Sequence, residues 1–391
     1  MNIALFSDTF PPEVNGVATS VWTLYNVLKK NGHNVYVVTT NPYSKKLIRE
    51  EDVIRIPGIK LKKLYGYIFA RIYSRKTLKF LKDHDIDVIH INCDFSIGQF
   101  GWISQRMLKK PSVYTYHTMY EDYTYYATRG KIDRFAKWVV RDYFINLSYR
   151  SNELIVPSYK CKDYARRIGI NSYINVIPTG INLDMFLNFK LKQEDKENFL
   201  KKYNIPLDSK IVLFLGRLAS EKNVRELLGN FKAFIESKGD SKSYFVIVGD
   251  GPQRYELEDY AKKINISDRV RFIGKVSYEN CPFYYSLADV FINASVSETQ
   301  GLTYLEAMAS KTIVLVKFDI NLVELIKEGE NGYLYQDKNE FIEKLWKILN
   351  FDTTYYSEVV NNSLKVIDKW GEEEFYRKVM LVYQKAIREF W

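Results

Sequence analysis

Residues Val296–Ala309 read V-S-E-T-Q-G-L-T-Y-L-E-A-M-A, and the reading of this stretch decides the fold. The apolar run Ala288–Ala294 (A-D-V-F-I-N-A) precedes it and has the character of a buried strand. After it, Leu302, Leu305, Met308 and Ala309 recur at helical spacing. Between the two lie the polar residues Ser297–Gln300 and then Gly301, which can adopt positive φ and let a ligand approach the backbone. A strand feeding a helix N-terminus in this way presents unbonded N–H groups and a partial positive charge, a setting suited to a diphosphate. Glu298 lies in the loop and Glu306 about two helical turns later. That would place two carboxylates around one pocket, one near the chemistry and one able to accept both hydroxyls of a ribose. The alternative is that glutamates near a helix start only complement its dipole.

Working outward, Lys210–Leu215 is an apolar strand that opens G-R-L-A-S-E-K-N-V, where Arg217 and Lys222 could converge on a diphosphate. Ser243–Val248 is a further strand ended by G-D-G-P, and Val270–Gly274 another, followed by Lys275. The first half has the same rhythm. Asn2–Phe6 is a strand, the loop S-D-T-F-P-P-E-V-N-G-V-A contains Gly16, Val17–Lys30 is an amphipathic helix closed by Asn31-Gly32, and Asn34–Thr40 is the next strand. Strand, glycine loop, helix, strand opens a parallel α/β domain. The loop lacks G-x-G-x-x-G, so a nicotinamide dehydrogenase is unsupported, and a plain turn is the alternative role for Gly16. Val113–Tyr116 reads as a strand that delivers His117 to its carboxyl end, where α/β folds place ligands. The string H-T-M-Y-E-D-Y continues with Tyr120, Glu121 and Asp122. Lone histidines more often serve structure than chemistry.

Composition sets the bounds. The 391 residues are 46% hydrophobic, enough for about two domains, and 27% charged, which excludes a mainly disordered chain. Cys93, Cys161 and Cys281 are too scattered for a metal site or a disulfide framework, so a reducing cytosol is expected. The start M-N-I-A-L-F-S-D has no cationic leader, no signal peptide is expected, and no apolar run reaches the roughly 20 residues a membrane span needs. Asp83, Asp85 and Asp87 imitate a calcium loop, but Val88 stands where glycine is required, so no metal is expected.

Residues 1–180 carry 27 basic and 15 acidic side chains, residues 181–391 carry 30 and 32, so the net charge of +10 resides entirely in the first half. Its centre is Ile59–Lys82, with eight basic residues and no acidic one among Leu64, Tyr67, Ile68, Phe69, Ile72, Leu78 and Leu81. The pattern predicts a basic amphipathic helix at a membrane surface, with Lys62, Lys63, Arg71, Arg75, Lys76 and Lys79 facing anionic lipid. An ordinary domain helix with a solvated basic face is the alternative. Lys131–Ile145 is a second basic amphipathic segment that could extend the face. Nucleic acid also fits the charge, but no recognised binding motif accompanies it, so no nucleic-acid partner is expected.

The spacing of Glu298 and Glu306 within S-E-T-Q-G-L-T-Y-L-E-A, together with G-R-L-A-S-E-K-N, resembles the signature of the family 4 retaining glycosyltransferases over nearly the whole chain. The H-T-M-Y-E-D-Y string is similar to that of bacterial diacylglycerol glucosyltransferases within it. The resemblance implies an α/β GT-B fold, two Rossmann-like domains facing a central cleft: residues 1–180 with a C-terminal helix 371–391 crossing back would bind acceptor, and residues 181–370 the nucleotide sugar. It further implies donor contacts by Gly16, Arg217, Lys222, Gly274, Lys275, Gly301, Leu302 and Glu306. His117 and Glu298 would hold the transferred sugar, and Tyr120, Glu121 and Asp122 the acceptor. Glucose would pass from UDP-glucose to the 3-hydroxyl of diacylglycerol at the inner face of the cell membrane, with retention and without a metal cofactor. Another lipid-linked or polysaccharide acceptor, or a non-catalytic partner subunit, are the alternatives.

Overall fold

Asn2–Phe6 forms β1, whose Ile3, Ala4, Leu5 and Phe6 are wholly shielded from solvent, as an apolar run covered on both faces requires. The structure, a computed structural model, describes residues 1–13, 15–61, 67–117, 133–295 and 300–390. These divide into two compact units, Met1–Gly180 with Glu372–Trp391, and Ile181–Gly371.

In the first unit β1 is flanked by β2 (Asn34–Thr40), followed in sequence by β3 (Ile48–Glu50) and β4 (Val53–Ile56). A hairpin of β5 (Gly58–Leu61) and β6 (Tyr67–Ala70) comes next, then β7 (Val88–Ile91), β8 (Ser112–Thr115), β9 (Glu153–Val156) and β10 (Ile174–Val176). The main sheet runs β10-β9-β8-β7-β1-β2-β4-β3 and is parallel except for the edge strand β3. Strand order reverses at β1, so β1 and β7 open a crevice at their carboxyl ends. The helix Glu372–Phe390 packs on this unit through Phe375, Val379, Val382, Tyr383 and Ala386, all buried. Lys30 pairs with Glu372 and Glu373, and Lys385 with the buried Glu153 at 2.6 Å.

The second unit has a sheet of β11 (Lys210–Leu215), β12 (Ser243–Val248), β13 (Val270–Gly274), β14 (Val290–Asn293), β15 (Ile313–Lys317) and β16 (Tyr333–Tyr335). The order is β13-β12-β11-β14-β15-β16, parallel throughout, with the reversal between β11 and β14. One face is closed by the helix Val224–Lys238, which buries Val224, Leu227, Leu228, Phe231 and Phe234 completely. Each of these contributes about 1.5–3 kcal/mol of burial free energy.

One expectation is corrected. Ile59–Lys82 is not a single helix: the described residues form the β5–β6 hairpin and then a helix restricted to Arg75–Asp83. Ser74 caps that helix by accepting from the Thr77 amide, which fixes its start. The apolar residues are split accordingly. Ile68 and Leu81 enter the core, whereas Ile59 and Phe69, paired across the hairpin, are 74% and 48% exposed. Ile72 and Tyr73 are also exposed. Arg71, Arg75, Lys76 and Lys79 all lie on the surface, and none is ion-paired with another described residue. Lys62 and Lys63 lie outside the described residues. In the second basic segment, now the helix Asp133–Arg150, Trp138 is exposed while Phe144 stacks on Tyr116 in the core. Asp85 pairs with Lys110, and Asp87 accepts from the Asn2 amide. No helix among the described residues is long and apolar enough to cross a membrane.

Candidate active site

In the second unit the polar residues gather at the carboxyl ends of β11 and β14, the neighbouring strands where the order reverses. The chain leaves β11 through Gly216, whose N–H bonds the Val248 carbonyl, and Leu218 bonds that of Asp250. Arg217 between them is exposed. The crossing is tight: a Cβ on Gly249 would stand 1.8 Å from the Gly216 carbonyl oxygen, which explains a G-D-G-P string that is uninformative by itself. A short 3-10 turn, Ser220–Lys222, leads into Asn223 in the left-handed region and then the helix Val224–Lys238. Glu226 pins this corner, accepting from Asn223 at 2.5 Å and pairing with Lys317 of β15 at 2.6 Å. Ser295, just beyond β14, donates to the Glu221 carbonyl at 3.2 Å. The turn that carries Lys222 is thereby tied to the end of the strand that leads into the signature.

Residues 296–299, and with them Glu298, lie outside the described residues. The described chain resumes at buried Gln300, and Gly301 follows with φ +81°, where a Cβ would meet the Tyr304 ring at 2.4 Å. Gly301 is the N-cap of the helix Leu302–Ala309, and no side-chain cap is found among the described residues. A helix start of this kind is a setting that favours an anion. Glu306, on the same helix, is 4% exposed. Its Oε2 accepts from the Tyr285 hydroxyl at 2.8 Å, and burial raises the carboxyl to about 7 against the support of Tyr285 and Tyr278. At β13, the Gly274 carbonyl accepts from Gly249, and Lys275 stands exposed beside it.

The first unit gathers a separate cluster at the ends of β1, β7 and β8. Asp8 accepts from Ser96 Oγ at 2.7 Å and from the Ile97 amide at 2.9 Å, a carboxylate at the start of the helix Ser96–Leu108. Asn92 donates through Nδ2 to the His90 carbonyl, which turns its Oδ1 toward His117 Nε2 at 3.3 Å. This assigns the ring proton to Nε2 and leaves Nδ1 as an acceptor. Burial lowers His117 to about 4, so the imidazole is neutral at physiological pH. His90, lowered to about 3 chiefly by burial, is held between Tyr383 and Thr115 at 2.7 Å each. Gly16 begins the helix Gly16–Lys30, and among the described residues nothing lies within 4 Å of where its Cβ would be, so their packing does not demand a glycine there. Tyr120, Glu121 and Asp122 lie outside the described residues. Sequence reasoning missed Tyr285, Asn92 and Glu226. Only the polar I-N-C-D string at the end of β7 offered a signal for any of them.

Comparison with known proteins agrees with this architecture. Residues 14–185 match the family Glycosyltransferase Family 4, and residues 195–364 match Glycosyl transferases group 1. An alpha-monoglucosyldiacylglycerol synthase of Streptococcus pneumoniae is 35% identical over 390 residues, 99% of this chain and 86% of the relative. Its namesake from Acholeplasma laidlawii is 36% identical over 354 residues, 88% of this chain and 87% of that one. Among solved structures, sucrose-phosphate synthase from Thermosynechococcus elongatus superposes with a TM-score of 0.77 at 22% identity, covering 99% of both chains. Anabaena HepE in complex with UDP-glucose gives 0.76 at 16% identity, covering 98% of this chain and 100% of that one. These structural likenesses show a GT-B fold. The chain belongs to glycosyltransferase family 4, and it is a glycosyltransferase.

Proposed function

We propose that this chain transfers glucose from UDP-glucose to the 3-hydroxyl of diacylglycerol at the cytoplasmic membrane surface, with retention and without a metal. The observation that carries the donor half of this reading is the tie between the Lys222 turn and the end of β14. It joins the turn that carries Lys222 to the strand that leads toward the helix start at Gly301, which supports reading both as parts of one diphosphate site. As the glycosidic bond breaks, negative charge grows on the departing diphosphate. Arg217, Lys222 and the amides at Gly301 and Leu302 would stabilise that charge in place of a metal. Gly16 would let the backbone approach the donor phosphate. Lys275 and the backbone at Gly274 would border the base, and Glu306 the ribose.

Attack would come on the face from which the phosphate leaves. The acceptor oxygen bonds to the anomeric carbon, the bond from that carbon to the phosphate oxygen breaks, and the acceptor proton passes to the departing phosphate. His117, neutral and with Nδ1 as an acceptor, would bind a hydroxyl of the transferred sugar, and Glu298 would orient it. Tyr120, Glu121 and Asp122 would shape the acceptor site.

The acceptor half rests on the two relatives named alpha-monoglucosyldiacylglycerol synthase and on the surface of the first unit. Arg71, Arg75, Lys76 and Lys79 are exposed in the same stretch of chain as the exposed apolar residues Ile59, Phe69, Ile72 and Tyr73, of which Ile59 and Phe69 pair across the hairpin. Each cation near an anionic leaflet contributes about 1 kcal/mol, and the apolar group enters the headgroup region. The test is transfer of labelled glucose from UDP-glucose to diacylglycerol in vesicles with and without anionic lipid. Labelled glycolipid that depends on anionic lipid supports both halves. Hydrolysis of UDP-glucose with no lipid product refutes the acceptor.

A further inference from the structure

Tyr285 lies in the helix Cys281–Leu287, outside every motif that marks the family in this sequence. It is wholly buried, and its surroundings hold it still. Its ring sits edge-on to Phe186 and Phe291 at 6.1 and 5.6 Å, and its carbonyl accepts from buried Thr312 at 2.7 Å. Among the described residues its hydroxyl donates to Oε2 of Glu306, at 2.8 Å. A tyrosine at an apolar position of C-P-F-Y-Y-S-L would serve packing equally well as phenylalanine. The hydroxyl is the part that packing leaves unexplained.

We propose that Tyr285 is a positioning residue for the donor site: its hydroxyl, bonded to Oε2, fixes the Glu306 rotamer and holds that carboxylate ionised, the state in which it accepts the vicinal hydroxyls of a ribose. The proposal rests on the ribose role of Glu306. A carboxylate offers about four lone-pair directions, so one taken by Tyr285 still leaves enough for two hydroxyls. A protonated Glu306 would turn one oxygen into a donor and lose that match. Charge at this depth needs a donor, because burial alone drives the carboxyl toward its neutral form.

Among the described residues, the ionisable groups that act on Glu306 are Tyr285, Tyr278 and Cys281. Cys281 is pushed up by burial and stays a neutral thiol, and Tyr285 is likewise held neutral. The helices Leu183–Leu187 and Thr353–Ile367 also pack on Leu302–Ala309, and neither contributes a charge that acts on Glu306. The support for the ionised state thus comes from tyrosine hydroxyls.

The experiment is calorimetric titration of the full chain with UDP from pH 6 to 9.5, comparing wild type, Tyr285→Phe, Glu306→Gln and the double variant. Ratios to wild type cancel the titration of UDP itself. Loss of a hydrogen bond to a charged acceptor corresponds to about tenfold or more. Tyr285→Phe should therefore weaken UDP about tenfold at pH 6 and about fivefold at pH 7, recover to within about twofold at pH 9.5, and move the midpoint of the affinity curve up by about one pH unit. In the Glu306→Gln background the same change should have no further effect. Unchanged affinity in Glu306→Gln would overturn the ribose reading and the proposal with it. A weakened Glu306→Gln, combined with a Tyr285→Phe that is unaltered or reduced by one factor at every pH, would overturn the Tyr285 proposal alone.

Discussion

Replacing Glu306 by glutamine should make the unliganded protein more stable at alkaline pH while weakening donor binding. The carboxyl titrates near 7 in the fold against 4.5 in an open chain. Each tenfold in proton affinity is worth about 1.4 kcal/mol, so ionising Glu306 inside the fold costs about 3 kcal/mol. The folded state holds this proton more tightly than the unfolded one. The resulting stabilisation is complete below pH 4.5, falls as pH climbs through 7, and is gone by about pH 8. Glutamine keeps an acceptor for Tyr285 and never ionises. Scanning calorimetry of both proteins without ligand from pH 5 to 8.5 isolates the group, because all other titrations are shared. The variant should match wild type within about 1 kcal/mol at pH 5 and exceed it by up to about 3 kcal/mol at pH 8.5. A difference that is flat with pH, or that favours wild type increasingly as pH rises, would refute the reasoning.

Other perturbations separate binding from folding. Arg217→Ala and Lys222→Ala, at exposed and half-buried positions, should each lower kcat/KM by about 10²–10³ with little change in melting temperature, measured on UDP-glucose turnover. Gly301→Ala combines a left-handed φ with a 2.4 Å clash against Tyr304, and should cost about 1–3 kcal/mol in thermal unfolding. Gly16→Ala meets no atom of the described residues within 4 Å, and should keep its melting temperature yet lose turnover. Changing Ile59 and Phe69 to glutamate together with Arg71, Arg75, Lys76 and Lys79 should release the protein from anionic vesicles in a flotation assay. Binding that survives would remove the hairpin and its helix from the membrane reading.

The buried strands were the most legible part of the sequence. Lys210–Leu215 and Ser243–Val248 are apolar runs that a parallel sheet covers on both faces, and their bounds can be read directly, as can those of the half-buried edge strand Val270–Gly274. Ile59–Lys82 misled because its cations suit a helix and a hairpin alike. Ile59 and Phe69 share a face through cross-strand pairing, which no count along the chain reveals. At the site, Gly301 was legible from local sequence, since its strain is local. The setting of Glu306 was not. Its partner Tyr285 is 21 residues away on another helix and sits in an apolar pattern. The Asn92–His117 pair spans 25 residues in the same way. Glu226 gives no sign in the sequence that it meets Lys317, 91 residues on.

The central claim is retaining, metal-independent transfer of glucose to diacylglycerol. Its most direct test is the anomeric configuration, by proton NMR, of the glycolipid formed from UDP-glucose and diacylglycerol vesicles in excess EDTA. The account predicts an α-linked glucosyl diacylglycerol, formed at the same rate with and without the chelator. A β-linked product, or synthesis abolished by EDTA and restored by a divalent cation, would contradict it.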